Sequence, residues 1–283
     1  VQAHSFHSAD STPMMAPLGE VQMVQGFAAQ FSSGKYGPIR GAAGIIGTAD
    51  LAECGAEVEP LLIACKSSSP NFRGIRCVAA NDANMQQNFC PNPGLYMQQK
   101  FREGFALLEK HDLVFDAWVY SSQLSDVHDL AKSFPSTTIV LNHIGTPVAA
   151  LGNLDEVLAY EGKQEEILSK WKTDMILIAN ECPNVYIKIG GAGVPVLGHG
   201  FSSRNKPPTS EEVASVFREN YLWVIGTFGA DRCMFEGNFP VDKVCMSYTV
   251  LWNAFKRITK NSGMSAADRS LLFSGTAKLV YRL

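Results

Sequence analysis

The stretch RCMFEGNFP (232–240) decides the fold. It runs from apolar residues into an acid, a glycine, an amide and a proline. That is the profile of a strand buried on both faces that ends in a polar cluster, as parallel sheets require. The same profile recurs in GAAGIIG (41–47), FRGIRCVAA (72–80), LVFDAWVY (113–120), TTIVLNHIG (137–145) and NVYIKIGGAG (184–193), and VQAHS (1–5) adds a plausible seventh strand.

Helical spacing fills the gaps, over 49–65, 95–110, 123–134, 156–180 and 211–228. Two further helices are expected at 247–260 and 265–283. TSEEVASVF starts with capping residues and acids, a good helix N-terminus. Strand then helix, repeated about seven times, predicts a parallel α/β architecture, either an open doubly wound sheet or a (β/α)8 barrel. No G-x-G-x-x-G follows the first strand, and polar residues sit at the strand C-terminal ends, so the barrel is preferred. Without a linker or low-complexity segment, residues 1–283 read as one domain.

Composition narrows the function. The chain is 46% hydrophobic and 18% charged with a net charge of −3, which excludes disorder and argues against nucleic acid as the main partner. No apolar run reaches the roughly 18 residues of a membrane span. Seven cysteines, an odd number with no C-x-x-C pair, read as reduced core thiols in a cytosolic or organelle-matrix protein.

Strand alternation pairs Met234, Glu236 and Asn238 on one face, Ile139, Leu141 and His143 on another, and likewise Tyr186 with Lys188, Asp116 with Trp118 and Tyr120, and Phe72 with Arg76. Turned inward, these faces gather Arg76, Asp116, Tyr120, His143, Lys188, Glu236 and Asn238. His143 suits a metal ligand or general base, or else a core histidine. Arg76 is either a clamp for an anionic substrate or a partner for Glu236 or Asp116. Lys188 is a buried, paired cation or a polarising one. Tyr120 donates to substrate or packs in the core. His199, in a Gly-rich loop, is a candidate pocket residue. Asp242 and Lys243 read as a solvated pair or helix cap, His4 and His7 as residues of a loop at the barrel mouth, and His111 and His128 as surface residues.

LNHIG, RGIR, VYIKIGG, RCMFEGNFPVDK and the ending LLFSGTAKLVYRL make the chain resemble the amidohydrolase-related family of TIM-barrel metal-dependent hydrolases, in particular its fuconolactonase-like and pyrone-dicarboxylate-lactonase-like members. The resemblance runs along essentially the whole chain. It implies a barrel and hydrolysis of a small lactone or amide, with His143 as the strand-end histidine, Arg76 holding an acidic substrate and Asn238 where the wider family keeps its last-strand Asp. Glu236 is the acid on that strand able to replace it. Departures accompany the match. The H-x-H hallmark of the first strand does not occur, so the barrel is expected to lack its first strand in these residues, and a partner chain, an oligomer or another segment is expected to cover the open edge. Cys77 and Ser121 stand where close relatives tend to carry His. A divalent metal, zinc or manganese, is implied by the resemblance, with His143 its only matched candidate ligand. The alternative is an eroded pseudoenzyme serving as a structural or assembly subunit.

Overall fold

The structure, a computed structural model, describes residues 5–85, 88–152, 158–260 and 262–283. Six parallel strands are hydrogen-bonded in chain order: β1 (Ile45–Gly47), β2 (Phe72–Val78), β3 (Val114–Trp118), β4 (Ile139–Leu141), β5 (Val185–Ile189) and β6 (Cys233–Phe235). Each falls inside one of the expected segments but is shorter, because pairing stops where the polar strand ends turn into loops. The expected strand at 1–5 includes Val1–His4, which lie outside the described residues. Helices connect the strands, as parallel pairing demands of crossovers. The longest are Gln164–Glu181 and Ser210–Phe228. The latter begins as its sequence predicts: Thr209 Oγ1 accepts from Glu212 N at 3.3 Å, and Glu212 Oε2 accepts from Thr209 N at 2.7 Å. The helix Leu18–Ser32, not expected from the sequence, packs beside β1 and the helix Glu59–Ser68.

The sheet has two apolar faces. Outward residues such as Ile75, Phe115, Ala117, Leu141 and Ile187 join the main core beneath the helices. Inward residues Ile46, Val114, Val140 and Met234 form a second cluster with Val280 and Tyr281 of the C-terminal helix Thr276–Tyr281. Ile46 on β1 and Met234 on β6 belong to opposite edges of the sheet, so one inner cluster joining them requires the sheet to curve into a barrel-type wall. The C-terminal segment reaches both edges. It contacts β6, and at the other side Val280 and Tyr281 share a cluster with Ile46 of β1, while Arg73 Nε of β2 donates to the Tyr281 carbonyl at 2.6 Å. Cover for the opening thus comes in part from within the chain. No described helix is long and apolar enough to cross a membrane. All seven cysteines are free, five of them buried.

Candidate active site

The inner wall carries three layers of chemistry. Deepest is a buried polar quartet. Asp116, fully buried on β3, accepts from Lys188 Nζ at 2.5 Å, from Tyr281 Oη at 2.7 Å and from Asn142 Nδ2 at 3.2 Å. A buried carboxylate is tolerable only with such partners. Lys188 also lies over the Tyr281 ring, 5.3 Å from its centroid. Lys188 is therefore paired, the first of its two readings.

Above this, His143 meets Glu236. Nδ1 of His143 lies 2.5 Å from Glu236 Oε1, and the same oxygen accepts the His143 backbone N–H at 3.2 Å. Burial works to raise the Glu236 pKa, but His143, Lys188 and Arg76 outweigh it and hold the carboxyl down at about 2. Glu236 is thus ionised throughout the neutral range, which sets Nδ1 of His143 as the donor. His199, Tyr120 and Asn238 take no part in this contact.

How His143 reaches this position corrects the alternation argument. On β4 the inward residue is Val140, continued by Asn142, while Ile139 and Leu141 face the outer core. A strand continuing past Leu141 would point His143 outward. Instead the chain turns left-handed through His143 (φ 55°), Ile144 (51°), Gly145 (73°) and Thr146 (43°). Each non-glycine residue there costs roughly 1–2 kcal/mol, and such strain persists only where the surroundings over-determine it. Here they do: Trp171 Nε1 donates to the Ile144 carbonyl at 2.8 Å, Trp118 Nε1 to Thr146 Oγ1 at 3.1 Å, and Ser121 N to the Thr146 carbonyl at 3.0 Å. The turn swings the imidazole back over the wall, where it meets Trp118 edge-on with ring centroids 5.7 Å apart. Gly191 makes room: a Cβ there would sit 2.7 Å from His143 Cγ.

Arg76, on β2 beside Asp116, pairs with neither Asp116 nor Glu236. Its guanidinium lies over Trp118, 5.0 Å from the ring centroid, and its buried Nε has no hydrogen-bond partner among the described residues. Among the described residues it forms no ion pair, and its charge acts on Glu236 from a distance.

The third layer lies past β6. Asn238, in the left-handed region at φ 41°, donates from Nδ2 to Asp242 Oδ1 at 2.6 Å. Asp242 is 2% exposed, which overturns its reading as a solvated residue. Burial pushes its carboxyl up to about 6, against the hydrogen bond from Asn238 and the nearby Gly193 backbone. Lys243 is exposed, as expected. Sequence reasoning passed over Asp242 because it follows a proline, in the 3-10 turn Val241–Val244, where strand alternation carries no information.

The remaining candidates sit elsewhere. Tyr120 is buried in a separate cluster with Ala80, Met85, Val148 and Val194, and burial, then the Asp82 charge, raises its hydroxyl to about 12. His199 stacks on Phe201, accepts the Phe201 N–H at Nδ1 (3.0 Å), and is held neutral by burial, its pKa lowered to about 4. His7 lies in an irregular segment and faces Glu20 of the Leu18–Ser32 helix at 3.8 Å. His4 lies outside the described residues. His111 and His128 are largely covered, bonded to Glu59 (2.8 Å) and Glu181 (3.2 Å).

The donors for a metal can be tested directly. Among the described residues no three His, Cys, Asp or Glu side chains converge on a point where a cation would sit. Glu236 already occupies Nδ1 of His143, and Asn238 brings an amide. A stable divalent site normally takes three or more protein ligands, so the described donors do not fit one.

Comparison with known proteins follows the same lines. A family model described as amidohydrolase matches residues 68–283. The Sinorhizobium fredii protein y4mH, itself uncharacterised, is 34% identical over 267 residues, spanning 94% of this chain and 76% of y4mH. An L-fucono-1,5-lactonase of Burkholderia multivorans is 27% identical over 183 residues, 65% of this chain and 56% of that enzyme. Among solved structures, a Burkholderia multivorans amidohydrolase with bound zinc superposes with a TM-score of 0.68 at 23% identity, covering 91% of this chain and 78% of that one, a likeness of fold.

Proposed function

As this chain belongs to the amidohydrolase family, we propose that it is a hydrolase of a small, anionic lactone or amide, built as one barrel domain over residues 1–283. The observation that carries the reading is the 2.5 Å contact between His143 Nδ1 and Glu236 Oε1. A carboxylate ionised at neutral pH fixes the imidazole with its proton on Nδ1. In the neutral imidazole Nε2, which makes no hydrogen bond among the described residues, carries the lone pair. In this role His143 takes a proton from water as that water attacks the acyl carbon. Glu236 orients the ring and stabilises the imidazolium, the part a carboxylate plays in triad chemistry.

Arg76 supplies the anion preference. Its uncommitted guanidinium offers a bidentate fork to a carboxylate or lactone oxygen. Lys188, committed to Asp116, acts on the site through its charge. Tyr120 and His199, buried apart from the His143–Glu236 contact, are given no chemical step. The His143–Glu236 contact favours the hydrolase reading over the eroded-subunit alternative. Zinc or manganese, implied by the family, would need ligands beyond the described cluster, and elemental analysis of the purified protein measures whether one is held.

The test uses the purified chain and a panel of lactones that includes L-fucono-1,5-lactone, the substrate named for a relative. His143→Ala lowers turnover by at least ~100-fold, the usual scale for a lost general base. Unchanged turnover in that variant would remove His143 from the mechanism.

A further inference from the structure

Hydrolysis of an unactivated lactone needs two proton transfers. One proton leaves the attacking water, and another must reach the departing alkoxide. His143 supplies the first. For the second, the turn after β6 offers a carboxyl that the family comparison does not point to, because position 238 holds an amide. We propose that Asp242 is the general acid of this site, with the Asn238 amide holding Oδ1 so that Oδ2 delivers the proton to the leaving oxygen.

Three observations support this. Asp242 is 2% exposed, and Oδ2 is buried without a hydrogen-bond partner among the described residues. A buried oxygen with no protein partner is costly unless something else satisfies it. The carboxyl is also held in place. Asn238 Nδ2 donates to Oδ1 at 2.6 Å, the Asp242 backbone N–H donates to the Asn238 carbonyl at 3.1 Å, and the backbone of Gly193 presses so close that a Cβ there would lie 2.6 Å from Asp242 Cα. Rigid placement of this kind is what a proton donor requires. Finally, Asp242 shares the electrostatic environment of the proton-transfer pair, since the charges of His143 and Glu236 both act on it. Tyr221 from the helix Ser210–Phe228 and Cys245, just past its own turn, also face it, and both are held neutral by burial first, with the Asp242 charge raising them further. Burial raises Asp242 itself to about 6, so a useful fraction is protonated just below neutrality.

The balance closes. His143 Nε2 takes a proton as the water oxygen bonds to the acyl carbon. The tetrahedral species collapses, the ring C–O bond breaks, and its electron pair takes the proton from Asp242 Oδ2. The product is a hydroxy acid, and solvent exchange returns a proton to Asp242 from the imidazolium. No oxidant, reductant or co-reactant is needed.

This proposal rests on the hydrolase reading, and the experiment separates the two. The wild type, Asp242→Asn and His143→Ala are each assayed on an alkyl lactone, whose alkoxide needs protonation, and on dihydrocoumarin, whose phenolate leaves with little help. Asp242→Asn is expected to fall at least ~100-fold on the alkyl lactone and less than ~10-fold on dihydrocoumarin, the range spanned by lost acid catalysis. It also loses the alkaline limb near pH 6 in the alkyl-lactone profile. His143→Ala falls on both substrates. Equal losses on both substrates in Asp242→Asn, or none, overturn the general-acid role while leaving His143 in place. Thermal melts establish that each variant is folded, and Asp242→Glu, which keeps the acid, recovers part of the alkyl-lactone rate if the role is chemical. No turnover of either class by the wild type, or no effect of His143→Ala, overturns the hydrolase reading and the general acid together.

Discussion

Glu236→Gln should change how stability depends on pH, with a magnitude set by the site. The Glu236 carboxyl is lowered from its ordinary value of 4.5 to about 2. A tenfold change in acidity is equivalent to about 1.4 kcal/mol, so the ionised form contributes about 3 kcal/mol to folding. The folded pKa is depressed. The contribution is therefore fully present above pH 4.5 and lost as pH falls through 2. Glutamine copies the protonated form at all pH values. Denaturant titrations of wild type and Glu236→Gln should show a stability gap that is widest at about pH 6 and narrows by about 3 kcal/mol toward about pH 2, with most of the change below pH 4.5. Asp242 has the opposite sign, since its folded pKa is raised from 3.8 to about 6. Its protonated form is favoured, and stability present below pH 3.8 is lost as pH rises through 6. Asp242→Asn should therefore gain on the wild type by about 3 kcal/mol between about pH 4 and about pH 7. A Glu236→Gln gap that stays flat from about pH 6 to about pH 2 would refute the electrostatic account of the His143–Glu236 pair.

Two further outcomes follow from the deeper layers. Lys188→Met leaves Asp116 buried beside only Tyr281 and Asn142, and should destabilise the fold by about 3–5 kcal/mol in urea unfolding, the cost of breaking a buried pair from one side. Arg76→Leu should raise KM for a lactone bearing a carboxylate at least ~10-fold relative to a neutral lactone, because a hydrogen bond to a charged group is worth roughly 1.5–3 kcal/mol. Equal changes for both lactones would show that Arg76 serves packing on Trp118 alone.

The architecture was legible because strands buried on both faces leave continuous apolar runs, and these runs are separated by helical spacing. The strand ends were less legible. Alternation assumes an extended backbone, and it assigned Ile139, Leu141 and His143 to one face. The left-handed turn at His143 breaks that assumption, so His143 reaches the site although its two strand companions face the outer core. Tyr281 was invisible for another reason. It lies 165 residues from the Asp116 it bonds, on the last helix, and nothing local marks it as an inner-wall residue. The helix Leu18–Ser32 buries only Glu20, Val21 and Ala28, too few positions to print a helical period. For Asp242 one signal was present but unread: an amide and an acid four residues apart across Pro240, the spacing of a tight turn that returns one side chain to the other.

The amide at 238 then has a physical reason. Asn238 and Asp242 are in contact at 2.6 Å, and Glu236 adds a negative charge to the same environment. A third carboxylate at 238 would place like charges side by side in a buried site, where both cannot ionise. An amide donates to Oδ1 without adding charge, and it moderates the rise in the Asp242 pKa that burial produces. The site thus keeps two acids with opposite tendencies: Glu236, held ionised by cations to orient His143, and Asp242, held part-protonated by burial. Environments that push two carboxyls apart in this way are how one fold supplies both a proton acceptor system and a proton donor at the same pH.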